Sequence, residues 1–285
     1  MKAKTPIVVG TVLVAFSMIM VGLPLSKLLN FEINEMAASG FSPSYAKVSL
    51  FLLLTLLYFV IIYLSQRFLH RAPFRLLGFQ KPVTRHILIA FACGIAINLV
   101  PFAVIILTAK NMVYASSIPA DVTLLRVVAA YGFFFCIWLT VNSIGEELVF
   151  RCYPIEQFAD QPSALPVVII SSAIVFALLH FIVRKPSVTG FFMLSLTSIS
   201  YSLIYLNWRS IWVLVGIHNG MNFINLTFSE NWEMGGLFTW NGDGAVALGT
   251  YLNIYHFAVP IVGAAYLYLR YLRTRAASEI TPDNS

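Results

Sequence analysis

The chain has 285 residues, of which 59% are hydrophobic and only 11% charged, with a mean hydropathy of +0.82. A soluble domain carries about 25% charged residues, so a soluble fold with a large core is excluded and a polytopic membrane protein is indicated. The net charge of +6 does not indicate nucleic acid, because the basic residues sit in short loops between apolar runs.

Charge-free or nearly charge-free runs cover about Pro6–Leu25, Val48–Ser65, Ile87–Ala109, Val127–Gly145, Ser163–Val183, Val188–Leu206, Ile211–Phe228 and Ala245–Leu269. Each approaches the roughly 20 residues that a helix needs to cross the hydrocarbon layer. Helices satisfy their own backbone hydrogen bonds in lipid, so the predicted class is all-α, with about eight transmembrane helices. The first run follows Lys2 and Lys4 but ends at Leu23-Pro24-Leu25-Ser26-Lys27 without a small-x-small pattern; it reads as a retained signal anchor.

Eight spans place both termini on one side. Lys2, Lys4, Arg67, Arg71, Arg75, Lys81, Arg85, Arg151, Arg209, Arg270, Arg273 and Arg275 would share that side, twelve in all, against six on the other: Lys27, Lys47, Lys110, Arg126, Arg184 and Lys185. The positive-inside rule then puts both termini in the cytoplasm. Glu230, Glu233 and Asp243 fall outside, and Arg184-Lys185 falls on the unfavoured side. Residues 1–275 read as one integral membrane domain, and 276–285 as a short polar, disordered tail. Cys93, Cys136 and Cys152 have no metal-ligand spacing and read as small buried hydrophobes. His70 and His86 flank the basic loop and are expected to be solvated. His256, four residues before Pro260, is expected to fill space near a kink.

The nineteen uncharged residues Val127–Gly145 are followed by Glu146-Glu147-Leu148-Val149-Phe150-Arg151. Ionised groups near a bilayer centre cost roughly 2.5–3.5 kcal/mol each on insertion scales and are usually functional. If the fourth helix continues to about Phe158, Glu146 lies roughly 15 Å inward at 1.5 Å per residue. By the same count His180 lies roughly 25 Å inward, His218 roughly 14 Å and Asn222 roughly 20 Å, depths that tilt can bring into one cavity. Glu147 and Arg151 are four apart and can pair. Glu146 points about 100° away from Glu147 on a helix of 3.6 residues per turn, with Asn142 one turn before it. It is left as the carboxylate suited to general-base work. His218 and Asn222, also four apart, face one way as donors suited to an oxyanion. His180 ends an aliphatic run and could orient a water or bind a metal.

The three segments together resemble a known family. Glu-Glu-x-x-x-Arg, Phe-x-x-x-His and His-x-x-x-Asn appear in order as Glu146–Arg151, Phe176–His180 and His218–Asn222. This is similar to the signature of the CPBP intramembrane proteases, which include the CAAX-prenyl endopeptidases related to the Ras-converting enzyme and bacterial members linked to bacteriocin processing and self-immunity. Arg209-Ser210-Ile211-Trp212 before His218 also resembles the family's approach to its third motif. The resemblance covers about Gly145 to Asn225. It implies that Glu146 activates water with His180 assisting, that His218 and Asn222 stabilise the oxyanion, and that Glu147 and Arg151 support the site. A metal, if one is used, would fall to Glu146, His180 and His218; zinc is possible, although no His-Glu-x-x-His is present. The chain departs from the family's frequent glycines at Cys152 and at Thr197, Ser198 and Ser200.

The expected function is thus hydrolysis of a peptide bond in a membrane-bound or lipidated protein or peptide, with the bilayer as partner and no nucleic acid. Two other classes fit the same residues: a non-catalytic immunity or partner-binding protein, and a small transporter relaying protons through Glu146, His180 and His218. The latter would favour repeats and broken helices, and no repeat is visible.

Overall fold

The computed structural model describes residues 37–39, 42–43, 45–108, 113–116, 118, 120–183, 187–228, 237–241 and 243–280. The predicted first span, Pro6–Leu25, lies outside these residues, as do Lys2, Lys4, Lys27, Arg184, Lys185, Glu230 and Glu233. Seven long helices make up most of what is described. They are α1 (Tyr45–Leu64), α2 (Thr84–Thr108), α3 (Leu124–Gln157), α4 (Leu165–Val183), α5 (Val188–Trp208), α6 (Ile211–Phe228) and α7 (Asp243–Ile280). Two short antiparallel ribbons accompany them: β1 (Ala37–Ser39) with β2 (Ser42–Pro43), and β3 (Val113–Ser116) with β4 (Phe238–Asn241). The second pairs Val113 with Asn241 and Ser116 with Phe238.

By length and composition, three of the described helices can cross a membrane: Thr84–Val104, Leu124–Gln157 and Val188–Trp208. Thr55–Leu69 and Leu165–Phe181 are shorter apolar helices. The fourth predicted span does continue past Gly145, and α3 reaches Gln157 as one helix. The last helix runs to Ile280, past Arg275 and into the polar segment.

Helix α3 is not a uniform α-helix. It widens into π-type turns at Phe134–Leu139 and Leu148–Cys152. Such turns free backbone carbonyls and mark functional segments. Thr140 Oγ1 donates to Phe135 O at 2.9 Å in the first. In the second, Pro154 has no N–H to offer the turn before it, and Ser172 Oγ of α4 donates to Phe150 O instead. The sequence thus loosens α3 on both sides of Glu146-Glu147, and hydroxyls satisfy the carbonyls that this exposes.

Glycines set the closest helix pair. Gly216 and Gly220 lie one turn apart on α6 and pack on α2, Gly216 against Ile87 and Ala90 and Gly220 against Gly94. A Cβ on Gly220 would sit 2.2 Å from Phe91 O, and one on Gly94 would sit 2.1 Å from Ile217 O. Small residues four apart let backbones meet this way, which is how helices gain packing in lipid. Asn98 of α2 ties the same pair further along: its Nδ2 donates to Met221 O and Asn225 Oδ1, each at 3.1 Å. Helix α6, which carries His218 and Asn222, is therefore held rigidly from behind.

The loop between α1 and α2 docks under the α5–α6 turn. Gly78 has φ +82°, its carbonyl accepts from Ile211 N at 3.2 Å, and a Cβ there would lie 2.8 Å from that nitrogen. Arg209 closes α5 with φ +48°, its side chain held by Glu156 at 2.8 Å, while Tyr205 donates to the same Glu156 oxygen at 2.7 Å. His70, expected to be solvated, is instead half-buried and bonds Tyr153 Oη at 2.8 Å. The bulky Tyr153 ring, fully enclosed, draws the histidine out of solvent.

Gly220→Ala places a methyl group against backbone that cannot yield. Overpacking of this kind costs about 1–3 kcal/mol or more. The detergent-purified variant is expected to unfold at a lower temperature than the parent. Gly132→Ala, whose Cβ meets nothing within 4 Å, is expected to unfold at the parent temperature or above.

Candidate active site

Two adjacent carboxylates leave α3 on different faces and meet different partners. Glu147 is fully buried. Its Oε1 receives Arg151 Nη1 at 3.4 Å and His218 Nδ1 at 2.8 Å. A carboxylate only accepts, so His218 donates from Nδ1 and turns Nε2 toward the other glutamate. Glu146 is partly exposed at 17%. Its Oε1 accepts from Asn142 Nδ2 at 2.8 Å, and its Oε2 lies 4.0 Å from His218 Nε2. That last separation is an electrostatic contact and too long for a hydrogen bond.

Arg151 is fully buried and packs by its faces as well as its edge. Its guanidinium carbon is 4.1 Å from the Phe176 ring centroid and 5.4 Å from that of Tyr201. A desolvated cation–π contact of this kind contributes about 2 kcal/mol. Among the described residues Arg151 Nε and Nη2 and Glu147 Oε2 have no hydrogen-bond partner. The first residue of the Phe-x-x-x-His segment is thus a seat for the arginine of the Glu-Glu-x-x-x-Arg segment.

His180 donates from Nδ1 to Phe176 O at 2.9 Å, and its ring lies 4.3 Å from the Phe176 ring. That bond sets its tautomer. His180, His218 and Arg151 all lie within electrostatic reach of Glu146. Asn222 is 8% exposed and makes no hydrogen bond among the described residues. It lies one turn beyond His218 on α6. The structure thus gathers Glu146, Glu147, Arg151 and His218 directly, with His180 and Asn222 on the flanking turns of α4 and α6.

A polar chain that sequence reasoning did not single out fixes α6 against α3. Asn219 accepts from Ser143 Oγ at 2.8 Å and donates to Thr140 Oγ1 at 3.0 Å, and Thr140 in turn donates to Phe135 O. Asn219 is next to His218, so this chain sets the rotation of the helix that presents the imidazole. The available signal was an amide beside the histidine, opposite two hydroxyls three residues apart on α3.

Among the described residues no group of three or more His, Cys, Asp and Glu side chains is placed to hold a metal ion.

These features define a helical membrane protein with a glutamate, histidine and asparagine constellation inside its bundle. Residues 126–224 match the family described as type II CAAX prenyl endopeptidase Rce1-like. The match spans every motif residue and supports the CPBP/CAAX protease family, whose members are integral membrane proteases. The match covers residues 126–224 of the 285. No curated protein and no solved structure matches the chain.

Removing one partner of the buried pair leaves the other charge uncompensated. Arg151→Met is expected to lower stability by about 3–5 kcal/mol, read by thermal unfolding in detergent. Adding Glu147→Gln removes the stranded charge, so the double variant is expected to be more stable than Arg151→Met alone. Asn219→Ala strands the Ser143 and Thr140 hydroxyls and is expected to cost about 1–3 kcal/mol in the same assay.

Proposed function

We propose that this chain is an intramembrane endopeptidase of about eight spans, with both termini in the cytoplasm and its site opening to the cytoplasmic half of the membrane. The observation that carries this reading is the division of the two carboxylates: Glu147 is committed to Arg151 and His218, while Glu146 accepts from Asn142 and faces His218 Nε2 across 4.0 Å.

In the reaction, Glu146 takes a proton from a water that His180 helps to orient. The oxygen attacks the scissile carbonyl carbon, and the carbonyl oxygen becomes an oxyanion. Asn222 Nδ2–H and the protonated Nε2–H of His218 donate to that oxyanion. Glu147 holds His218 by Nδ1, which keeps Nε2 directed at the reacting atoms, as a second carboxylate does for histidines in other hydrolases. Collapse of the intermediate breaks the C–N bond, and Glu146 returns its proton to the leaving amine nitrogen. General acid–base transfer contributes about 10²–10⁴-fold to such a rate, and one oxyanion donor about 10²–10³-fold. The substrate is a membrane-bound or lipidated protein or peptide.

Glu146→Gln keeps the Asn142 hydrogen bond but cannot accept a proton. Cleavage of a membrane-peptide panel is expected to fall about 10²–10⁴-fold with an unchanged unfolding temperature. Cleavage that survives would sink the glutamate mechanism. Asn222→Ala is expected to lower kcat about 10²–10³-fold with KM little changed. Dialysis against EDTA is expected to leave cleavage intact; loss restored by zinc would move water activation to a metal at Glu146, His180 and His218. Substrate bound but uncleaved by the parent protein would favour the partner-binding reading.

A further inference from the structure

A cavity of about 600 Å³ lies between α2, α5, α6 and α7, apart from the carboxylates. Glu146, Glu147, His218 and Asn222 do not line it. Its wall on α6 is Val213, Ile217 and Met221, one turn apart and on the face adjacent to His218. On α2 it runs from His86 to Ile97, on α5 from Thr197 to Trp208, and on α7 from His256 to Leu267. Eleven residues of helix rise roughly 16 Å, so the cavity is a slot along the helix axes. Its volume falls within the usual range for ligand pockets, about 300–1,000 Å³.

The slot opens sideways. Ile89 is 50% exposed and Tyr266 64%, and both line it. In a membrane protein that opening faces hydrocarbon. One end is chemically different. Trp208 lies there with His86, and Arg270 stacks on Trp208 with its guanidinium carbon 4.6 Å from the ring centroid. Lys81 and Arg85 precede His86 in the chain. A tryptophan under an arginine at a helix end is suited to the headgroup level, and a basic cluster there attracts anionic lipid.

We propose that this slot binds one acyl chain of an anionic phospholipid from the surrounding bilayer, with the headgroup at Trp208 and Arg270. The apolar walls take the chain, the lateral opening admits it from the membrane, and the basic end selects the headgroup's charge. Tyr201 is the partition between the two sites. Its ring lines the slot, lies 5.5 Å from the His218 ring and 5.4 Å from the Arg151 guanidinium, and its hydroxyl donates to Met221 Sδ at 3.0 Å. The bound chain therefore packs against the residue that backs the catalytic histidine.

Gly263 lines the slot, and a Cβ there meets nothing within 4 Å, so Gly263→Leu fills the slot without striking backbone. The test uses the full chain in nanodiscs containing phosphatidylglycerol with a diazirine at mid-chain, with labelled residues mapped by mass spectrometry after irradiation. The parent is expected to carry label on Tyr201, Ile217 or Met221. Gly263→Leu is expected to lose that label while keeping its unfolding temperature and its label at lipid-facing Ile170 and Leu178. Arg270→Ala is expected to reduce the preference for phosphatidylglycerol over phosphatidylcholine in the slot. Label confined to Ile170 and Leu178 in the parent, or unchanged slot label in Gly263→Leu, would overturn the proposal. Displacement of the slot label by a lipidated peptide would also overturn it, by assigning the slot to substrate.

Discussion

The buried Glu147 carboxylate organises the site. One oxygen holds a guanidinium from its own helix and an imidazole from another. Taking a carboxylate out of water costs several kcal/mol even after relaxation, and only close, well-directed partners offset it. Arg151 accompanies Glu147 into the interior, and the Phe176 and Tyr201 rings lie against the arginine. Those rings come from α4 and α5, and His218 comes from α6. A single desolvated charge thus recruits four helices. The same bond fixes the His218 tautomer, so the requirement that stabilises the core also sets which nitrogen faces Glu146.

Helix packing must then deliver His218 to that oxygen within hydrogen-bonding distance. Two devices do so from different sides of α6. The Gly216 and Gly220 face lies on the α2 backbone, which sets the distance. The Asn219 amide lies on Ser143 and Thr140 of α3, which sets the rotation. Lipid offers no hydrophobic drive for helices to associate, so close backbone packing and interhelical hydrogen bonds do this work. Helix α6 uses both within the five residues 216–220, around His218 and just before Asn222.

Much of this was legible in the sequence, for identifiable reasons. An i,i+4 carboxylate and arginine can be read from spacing alone, and Glu147–Arg151 pairs as read. Asn142 beside Glu146 is equally local, as is the continuation of α3 past Gly145. What spacing could not give is which atom of one helix meets which atom of another. The His218–Glu147 bond belongs to that class, because the rotation of α6 depends on glycines and an amide whose partners lie more than seventy residues away. His70 was misread for the same reason: its neighbour Tyr153 is distant in sequence, and a histidine in a basic loop looks solvated until that ring is placed. The π-type turns were also hidden, since Pro154 signals an interruption but not that Ser172 would satisfy the carbonyl it frees.

The departures at Thr197, Ser198 and Ser200 acquire a physical meaning in the folded chain. Ser200 Oγ lies 3.0 Å from both Leu196 O and Pro260 O and shares its one proton between them. It thereby ties α5 to α7 at the proline, where the missing N–H loosens the backbone of α7. Thr197 and Ser200 face the apolar slot rather than the carboxylates. A glycine at either position would let α7 approach α5 closely and narrow the slot, whereas the side chains present hold the helices apart and the Ser200 hydroxyl also satisfies a carbonyl. Thr197 and Ser200 therefore act on the slot side of Tyr201, whereas Ser198 and Cys152 are buried away from the slot. Thr197 and Ser200 leave Glu146, Glu147 and His218 untouched and bear on the volume behind Tyr201.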